Sequence, residues 1–490
     1  MLSKLKQANW ILCGLVGLCS FLPAAGHSVQ AQSADQAVIR LIPADGRVVI
    51  EVRGDQRARW SFLDSYAGVI GLGSRVRDFT AEDAKGAPVS VRTIAPGQFE
   101  SAAPASSFKY EQIIAAPGRP SDAALVSWLN AERGVLMLAD LLPISKQSTR
   151  ITIEVEAPPG WTIYPNDYKL NSNSFEVSDV NRAILIVGRE LRSSSRNTSG
   201  TALTFTTDRR WSFPDAEALD LATRILSAHR ETIGPVPCGR ASVLLLPFPV
   251  PTSADKWSAQ TRGCTVLLLM GALPTRVGAL SQLGNSLSHE LLHLWFPNGV
   301  TLQGDYDWFY EGFTVYQGAR MAVRLDLLTF NDFLNAMAQA NDGITRAPDL
   351  NRWSLIEASQ RRWTGGQSAV YSKAMLVAFL YDLNLRFQSK GKRSLDAVYK
   401  RLGSEYTGAQ KQNAEGNAAV LGAMRAEFDG QNFAQRFIGE PCTIDLQKEI
   451  APFGLQVEKF GPRSRIVVGD HLSKRQRDLL RDLGYNDRTR

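Results

Sequence analysis

Ser288-His289-Glu290-Leu291-Leu292-His293 lies inside an apolar pattern of helical period, and Tyr310-Glu311-Gly312-Phe313 follows, with its Glu eighteen residues past the second histidine. These two stretches decide how the rest of the 490-residue chain is read. Side chains four apart on a helix stand one turn above each other on the same face. Two imidazoles so placed bind one metal ion, and the carboxylate of Glu290, one position on, reaches water in the metal's open coordination position. The competing reading has the two histidines merely packing or capping a helix. Glu311 begins a second helical pattern. The loop before it holds Pro297, Asn298, Gly299 and Gly304, long enough for a helix–loop–helix to fold back and present a carboxylate to the same ion. Two His and one Glu leave a fourth position for water, which is the catalytic and not the closed structural form of a zinc site. The bland alternative for Glu311 is a carboxylate at a helix N-terminus. The ligand set expected is therefore His289, His293 and Glu311 around one Zn²⁺ per chain, with Glu290 as general base.

The bulk composition suits a folded, soluble catalyst. With 44% apolar and 21% charged residues the chain is globular, and its length calls for two or three domains. Net charge is +7, and it falls to +5 once Lys4 and Lys6 of an N-terminal export segment are removed. The basic residues are scattered apart from the tail Lys474 to Arg490, and no basic stripe interleaved with aromatics argues for nucleic acid. Lys4 and Lys6 precede an apolar run from Trp10 to Ala25, and Val29-Gln30-Ala31 has small side chains where a signal peptidase needs them. The run is short and broken by Pro23, so export with cleavage after Ala31 is expected, to the periplasm or beyond, with an uncleaved anchor as the alternative. Cys13 and Cys19 leave with that segment. Of Cys238, Cys264 and Cys442, the first two flank apolar strands, Ala241 to Phe248 and Thr265 to Met270, and become neighbours if those strands pair.

From Ala37 to Asp208 the sequence reads as β. Val48, Ile50 and Val52 alternate with Val49, Glu51 and Arg53, and Ile151, Ile153 and Val155 with Thr152, Glu154 and Glu156. Trp161 to Tyr164 and Arg182 to Val187 add strands, and the whole suggests an antiparallel β-sandwich. The Ser-rich stretch Ser193 to Ser199 reads as a linker or exposed loop. After Asp208 the pattern turns helical, starting at Pro214, Asp215 and Glu217, and two apolar strands follow. Helical patterns then cover Leu280 to Trp295, Trp308 to Arg324, Phe330 to Ala340, Gln367 to Phe387 and Leu395 to Leu402, the last with Ser394 as N-cap. The expected organisation is a multidomain α+β chain: signal peptide 1–31, β-sandwich 32–205, a mainly helical zinc domain 206–458, and a tail 459–490.

Attack by a metal-activated hydroxide builds an oxyanion that needs a donor besides the metal. His229 and His471 are the mature histidines outside the motif, and neither sits in a matching pattern, which favours a tyrosine. Three stretches carry a family resemblance: His289-Glu290-Leu291-Leu292-His293-Leu294-Trp295, Trp308-Phe309-Tyr310-Glu311-Gly312-Phe313-Thr314, and Tyr371-Ser372-Lys373 ahead of the apolar run Ala374 to Leu383. Together they resemble the glycyl aminopeptidase family of zinc metallopeptidases, relatives of the alanyl-type aminopeptidases. The resemblance is specific from about Leu287 to Leu402 and compatible from Ala37 to Ser286. It implies that Tyr371 is the oxyanion donor, against a plain reading as a packed helix-start tyrosine, and that the helical half is thermolysin-like.

Three features depart from that family. The loop between His293 and Glu311 is slightly tighter than in some relatives. No Asp or Glu occurs from Lys256 to Ser288, where family aminopeptidases place an acid for the substrate's α-ammonium, and Arg262-Gly263-Cys264 stands roughly there instead. Too few residues follow Glu458 for the PDZ domain that often ends the family's chains. The expected partner is a peptide or protein substrate, with no nucleic acid and no stable membrane insertion after cleavage. Endo- and exo-action stay open at this stage. So do two other readings, a catalytically silent peptide-binding relative and a zinc hydrolase of a non-peptide amide.

Overall fold

The computed structural model describes residues 35–486, apart from 145–149, 166–167, 199, 210, 409–412 and 429. The expected signal segment lies outside the described residues. Among the described residues, no helix is long and apolar enough to cross a membrane.

The chain begins as β, as its alternation predicts. Strand β1 (Asp35–Ile42) pairs antiparallel with β2 (Arg47–Ser61), which pairs with β3 (Gln98–Ile113) in a nine-stranded sheet. Val48, Ile50 and Val52 are buried while their neighbours face outward. The second alternating run forms β5 (Ile151–Glu156), with Ile151, Ile153 and Val155 buried. It pairs with β1 in parallel, where an all-antiparallel arrangement was expected. The long excursion between β2 and β5 lets the chain return alongside β1 in the same direction, which a hairpin does not allow. Between them comes β4 (Arg133–Met137), whose partner β6 (Ile184–Gly188) follows β5.

Residues of β4 and β6 show why apolar runs without alternation belong here. Leu136, Leu185 and Val187 face the nine-stranded sheet and share its core. Val135, Met137, Ile184 and Ile186 face the other way, onto Leu244, Leu246, Leu267 and Leu269. A strand covered on both faces carries apolar side chains at every position.

Those four leucines belong to a five-stranded sheet built from β7 (Arg192–Thr198), β8 (Thr201–Thr207), β9 (Arg240–Pro247), β10 (Trp257–Arg262) and β11 (Thr265–Met270). The Ser-rich stretch read as a linker or loop is thus strand β7 as far as Thr198, laddered to β8 at the sheet's edge. Ser193 and Ser195 are exposed and bond across the ladder to Thr206 and Thr204, while the backbone is paired to β8, so composition alone mimics a loop. Strand β8 spans Thr201–Thr207 and pairs in parallel with β9, so this sheet takes its first strands from before residue 206. Strands β9 and β11 are parallel neighbours, and Cys238 and Cys264 at their starts form a disulfide.

Helices cover the other face of this sheet. Helix α1 (Asp215–Ile233) follows Pro214, with the Asp215 carboxylate held by Arg192 at 2.8 Å. Helix α2 (Arg276–Glu290) starts at Thr275, whose hydroxyl accepts from the Gly278 N–H. Then come α3 (Thr314–Arg324), α4 (Phe330–Arg346), α5 (Ala374–Ser389) and α6 (Asp396–Tyr406). The Ser394 hydroxyl accepts from the Asp396 N–H at 3.3 Å, but the cap position of α6 is Leu395, one residue later than expected, and it makes no side-chain cap bond. A β-hairpin, Leu455–Phe460 with Arg463–Val468, packs against α4. The architecture is β-rich sheets followed by a helical region, and the site lies where α2 meets β10.

Candidate active site

Helix α2 delivers the motif. Leu283 and Leu287 bury one of its faces in the helical core, and the next turn tightens to 3₁₀ geometry over Leu291–Leu294. His289, Glu290 and His293 come together as a buried group, their ligand atoms within 4.8 Å of one another. The two Nε2 atoms stand 3.1 Å apart. His293 Nδ1 lies 2.8 Å from the Phe296 carbonyl, so that nitrogen donates there and Nε2 is the atom turned toward His289 and Glu311. His289 Nδ1 is buried without a hydrogen-bond partner among the described residues.

Glu311 arrives from the neighbouring segment, and its Oε2 is 3.6 Å from both Nε2 atoms. The segment Trp308–Phe313 is a π-helical turn ahead of α3, a wider turn often found at functional sites. Trp308, Phe309 and Phe313 are fully buried around Glu311 and anchor it. Gly312 lets this turn approach the segment of Tyr371, since a Cβ there would stand 2.3 Å from the Val370 carbonyl oxygen and from Ala374 Cβ.

Tyr371 sits on a second π-helical turn, Ala369–Lys373, leading into α5. Its hydroxyl oxygen accepts from Arg362 Nη2 at 2.6 Å. Burial first, and then the nearby Glu311 carboxylate, hold the phenol well above its usual range, so it carries its proton. The same guanidinium donates to Glu311 Oε1 at 2.9 Å and to Asp307 at 2.8 Å. Sequence reasoning passed over Arg362 because nothing in Arg361-Arg362-Trp363-Thr364 marks one arginine as buried. It also missed Thr261 on β10, whose hydroxyl donates to Glu290 Oε2 at 2.7 Å. That bond leaves Oε1 of Glu290 directed toward the histidines, 3.9 Å from His289 Nε2.

The electrostatics call for a cation. Burial works against both a charged His293 and a charged Glu311, yet each is overridden. Arg362 and then His293 hold the Glu311 carboxyl well below the usual carboxylate range, and Glu311 leads the groups that push His293 up to about 9. Two imidazole nitrogens and a shared carboxylate oxygen at 3.1 to 3.6 Å match the edges of a tetrahedron, roughly 3.3 Å for bonds of about 2.0 to 2.1 Å. The donor set fits zinc. The site opens into a cavity of about 540 Å³ walled by β10, by Tyr66, Ser121 and Leu125 of the β-rich part, and by Trp363 and Gln367 beside Tyr371.

Residues 282–379, which span the two histidines, Glu311 and Tyr371, match the M61 glycyl aminopeptidase family. The chain is a metallopeptidase. Among curated proteins, none matches the chain. The metallopeptidase is similar in fold to an aminopeptidase N family protein from Idiomarina loihiensis, at a TM-score of 0.72 and 15% identity, covering 87% of this chain and 79% of that one. It is also similar to an M1 zinc metallopeptidase from Deinococcus radiodurans. For a mutant form of that enzyme bound to a Tyr-Ser-Ala substrate the TM-score is 0.53 at 15% identity, with coverage of 84% and 94%. A further structure of the same enzyme gives 0.51 at 16% identity, with 84% and 95%. At such identities the likeness concerns the fold, β-rich sheets followed by a helical region.

Proposed function

We propose that this metallopeptidase hydrolyses peptide bonds with one zinc ion held by His289, His293 and Glu311, with Glu290 as the general base and Tyr371 as the donor to the oxyanion. The reading rests on one observation above all: two Nε2 atoms 3.1 Å apart share a carboxylate oxygen 3.6 Å from each. A zinc ion bound there supplies a Lewis acid that acidifies water and polarises a carbonyl. Glu290 has one oxygen tied to Thr261 and one free, so it accepts the proton of the attacking water without rotating away. Later it passes that proton to the leaving amine. Arg362 can only donate to the Tyr371 oxygen, so the phenol's own hydrogen is left for the side of Glu311 and the cleft, where the oxyanion develops. Arg362 also steadies Glu311 from behind, as outer partners of metal ligands do.

In this reading the region 206–458 is thermolysin-like and catalytic, the β region 32–205 forms the far wall of the cleft, and 459–490 is a tail. The chain acts after export and loss of residues 1–31. The M1 neighbour's Tyr-Ser-Ala complex supports a peptide substrate.

The test pairs metal content with turnover. Purified mature protein should hold about one Zn²⁺ per chain, and His289→Ala or Glu311→Ala should lose it. Glu290→Gln should keep the metal and lose most cleavage of a mixed peptide library read by mass spectrometry. Unchanged metal in both ligand variants would mean that the ligands are other residues.

A further inference from the structure

The cavity wall offers carboxylates at three places among the described residues, Glu290, Asp307 and Glu311. Each is engaged. Glu290 accepts from Thr261, Asp307 from Arg362, and Glu311 faces the two histidines and Arg362. The residues contributed by the β-rich part, including Tyr66, Ser121 and Leu125, bring no acid.

Cations are a different matter. Arg262, at the end of β10 and next to the Thr261 that holds Glu290, lines the same cavity and is only 5% exposed. Its Nη2 donates to the Leu125 carbonyl at 3.0 Å, and its guanidinium lies over the Tyr66 ring at 4.3 Å. Its Nε and Nη1 are buried without a hydrogen-bond partner among the described residues. Asp140 feels the charge of Arg262, but that carboxylate is bonded to the Ser127 N–H at 2.8 Å and lies 3.5 Å from Arg75. A buried guanidinium with idle donors is a costly arrangement unless a ligand supplies acceptors. Arg182 adds a second positive group to the rim.

A free N-terminus constrains the geometry closely. The α-nitrogen of a terminal residue stands roughly 2.5 Å from its own carbonyl carbon. An enzyme that removes that residue must therefore house the ammonium inside this cavity, where each carboxylate already serves an arginine, the two histidines or the attacking water, and where Arg262 repels it. We infer that the cleft admits bonds whose preceding nitrogen is acylated, in internal or N-capped peptides, and favours those bearing a carboxylate that Arg262 binds. Arg262 is then a specificity-determining residue. The inference rests on the zinc-peptidase reading and narrows its substrate class.

The test uses one peptide in three forms, with a free, an acetylated or a succinylated N-terminus, and zinc-loaded full-length mature protein. Acetylation should raise kcat/KM by about tenfold or more, and succinylation should raise it further. The inactive Glu290→Gln variant, titrated calorimetrically with the same peptides, should bind them in the same order. Arg262→Gln should erase the succinyl advantage, and Arg262→Glu should shift preference back toward the free amine. Should the Arg262 variants fail to fold, the wild-type ratios and the Glu290→Gln affinities decide alone. A loss of about 100-fold on acetylation, or equal binding of all three forms, overturns the inference and leaves the peptidase reading intact. No cleavage of any form by zinc-loaded protein overturns both.

Discussion

Arg362 and Tyr371 are joined by a 2.6 Å hydrogen bond in which the guanidinium is the donor, and the same Nη2 reaches Glu311 Oε1. One buried side chain therefore couples Tyr371, the proposed oxyanion donor, to the carboxylate of the candidate metal site. Arg362→Lys keeps the charge but cannot span both partners and Asp307. Activity should fall on the order of 10- to 100-fold, with zinc affinity weakened by a similar factor. Steady-state kinetics with metal titration checks this, and wild-type values for both would remove Arg362 from a positioning role.

Tyr371→Phe removes the hydroxyl and nothing else. Turnover should drop by on the order of 10²-fold or more, with the metal retained, because the donor acts on the oxyanion and not on the ion. Full activity in this variant would take Tyr371 out of the mechanism and move attention to Tyr310, whose ring also lines the cavity.

Gly312 supports the same geometry through absence of a side chain. Its Cβ position is already filled by the Val370 carbonyl oxygen and Ala374 Cβ. Gly312→Ala must push apart the turns carrying Glu311 and Tyr371. Destabilisation of about 1 to 3 kcal/mol is expected, together with lower zinc occupancy. Chemical denaturation with metal analysis reads both. A variant as stable and as well loaded as wild type would show that the two turns move apart freely.

His229 should write its burial into the pH dependence of stability. Its Nε2–H donates to the Ser288 carbonyl at 2.9 Å, just before His289, while Nδ1 has no partner among the described residues. Burial is the main reason its pKa is lowered from 6.5 to about 4. The unfolded chain thus takes up this proton first as pH falls. Stability is complete above about 6.5 and declines toward pH 4, by up to about 3 kcal/mol from this group. His229→Gln can still donate to Ser288 and should flatten that decline in metal-free protein. Parallel unfolding curves for the two proteins across that window would contradict the assignment.

Export is tested at the N-terminus. Protein recovered outside the cytoplasm should begin near Gln32, and N-terminal sequencing decides it. Met1 retained in a membrane fraction would favour the anchor.

Local chemistry with a fixed period was readable from the sequence. The i,i+4 histidines come together because a helix admits no other outcome, and the alternation of Val48, Ile50 and Val52 marks a strand with one wet face. Tyr371 became visible only through family likeness, since one tyrosine among twelve has no local signature. Arg362 and Thr261 stayed hidden. Their roles depend on which distant segments fold beside them, fifty-one residues for Arg362 and Glu311 and twenty-nine for Thr261 and Glu290. The serines of β7 misled because an edge strand exposed to water has the composition of a loop.

The double-faced strands of the five-stranded sheet bear on how this protein can be dissected. Leu244, Leu246, Leu267 and Leu269 are covered by Val135, Met137, Ile184 and Ile186, so the wall behind the catalytic helices is also the ceiling of the β-rich part. An expression fragment starting at residue 206 would cut through β8 and strip that wall to water, leaving an adhesive leucine surface and an unsealed parallel ladder beside β9. Such a fragment should aggregate where the full mature chain does not. Proteolysis would then silence the enzyme by unroofing its sheet, without touching a single residue of the catalytic cleft.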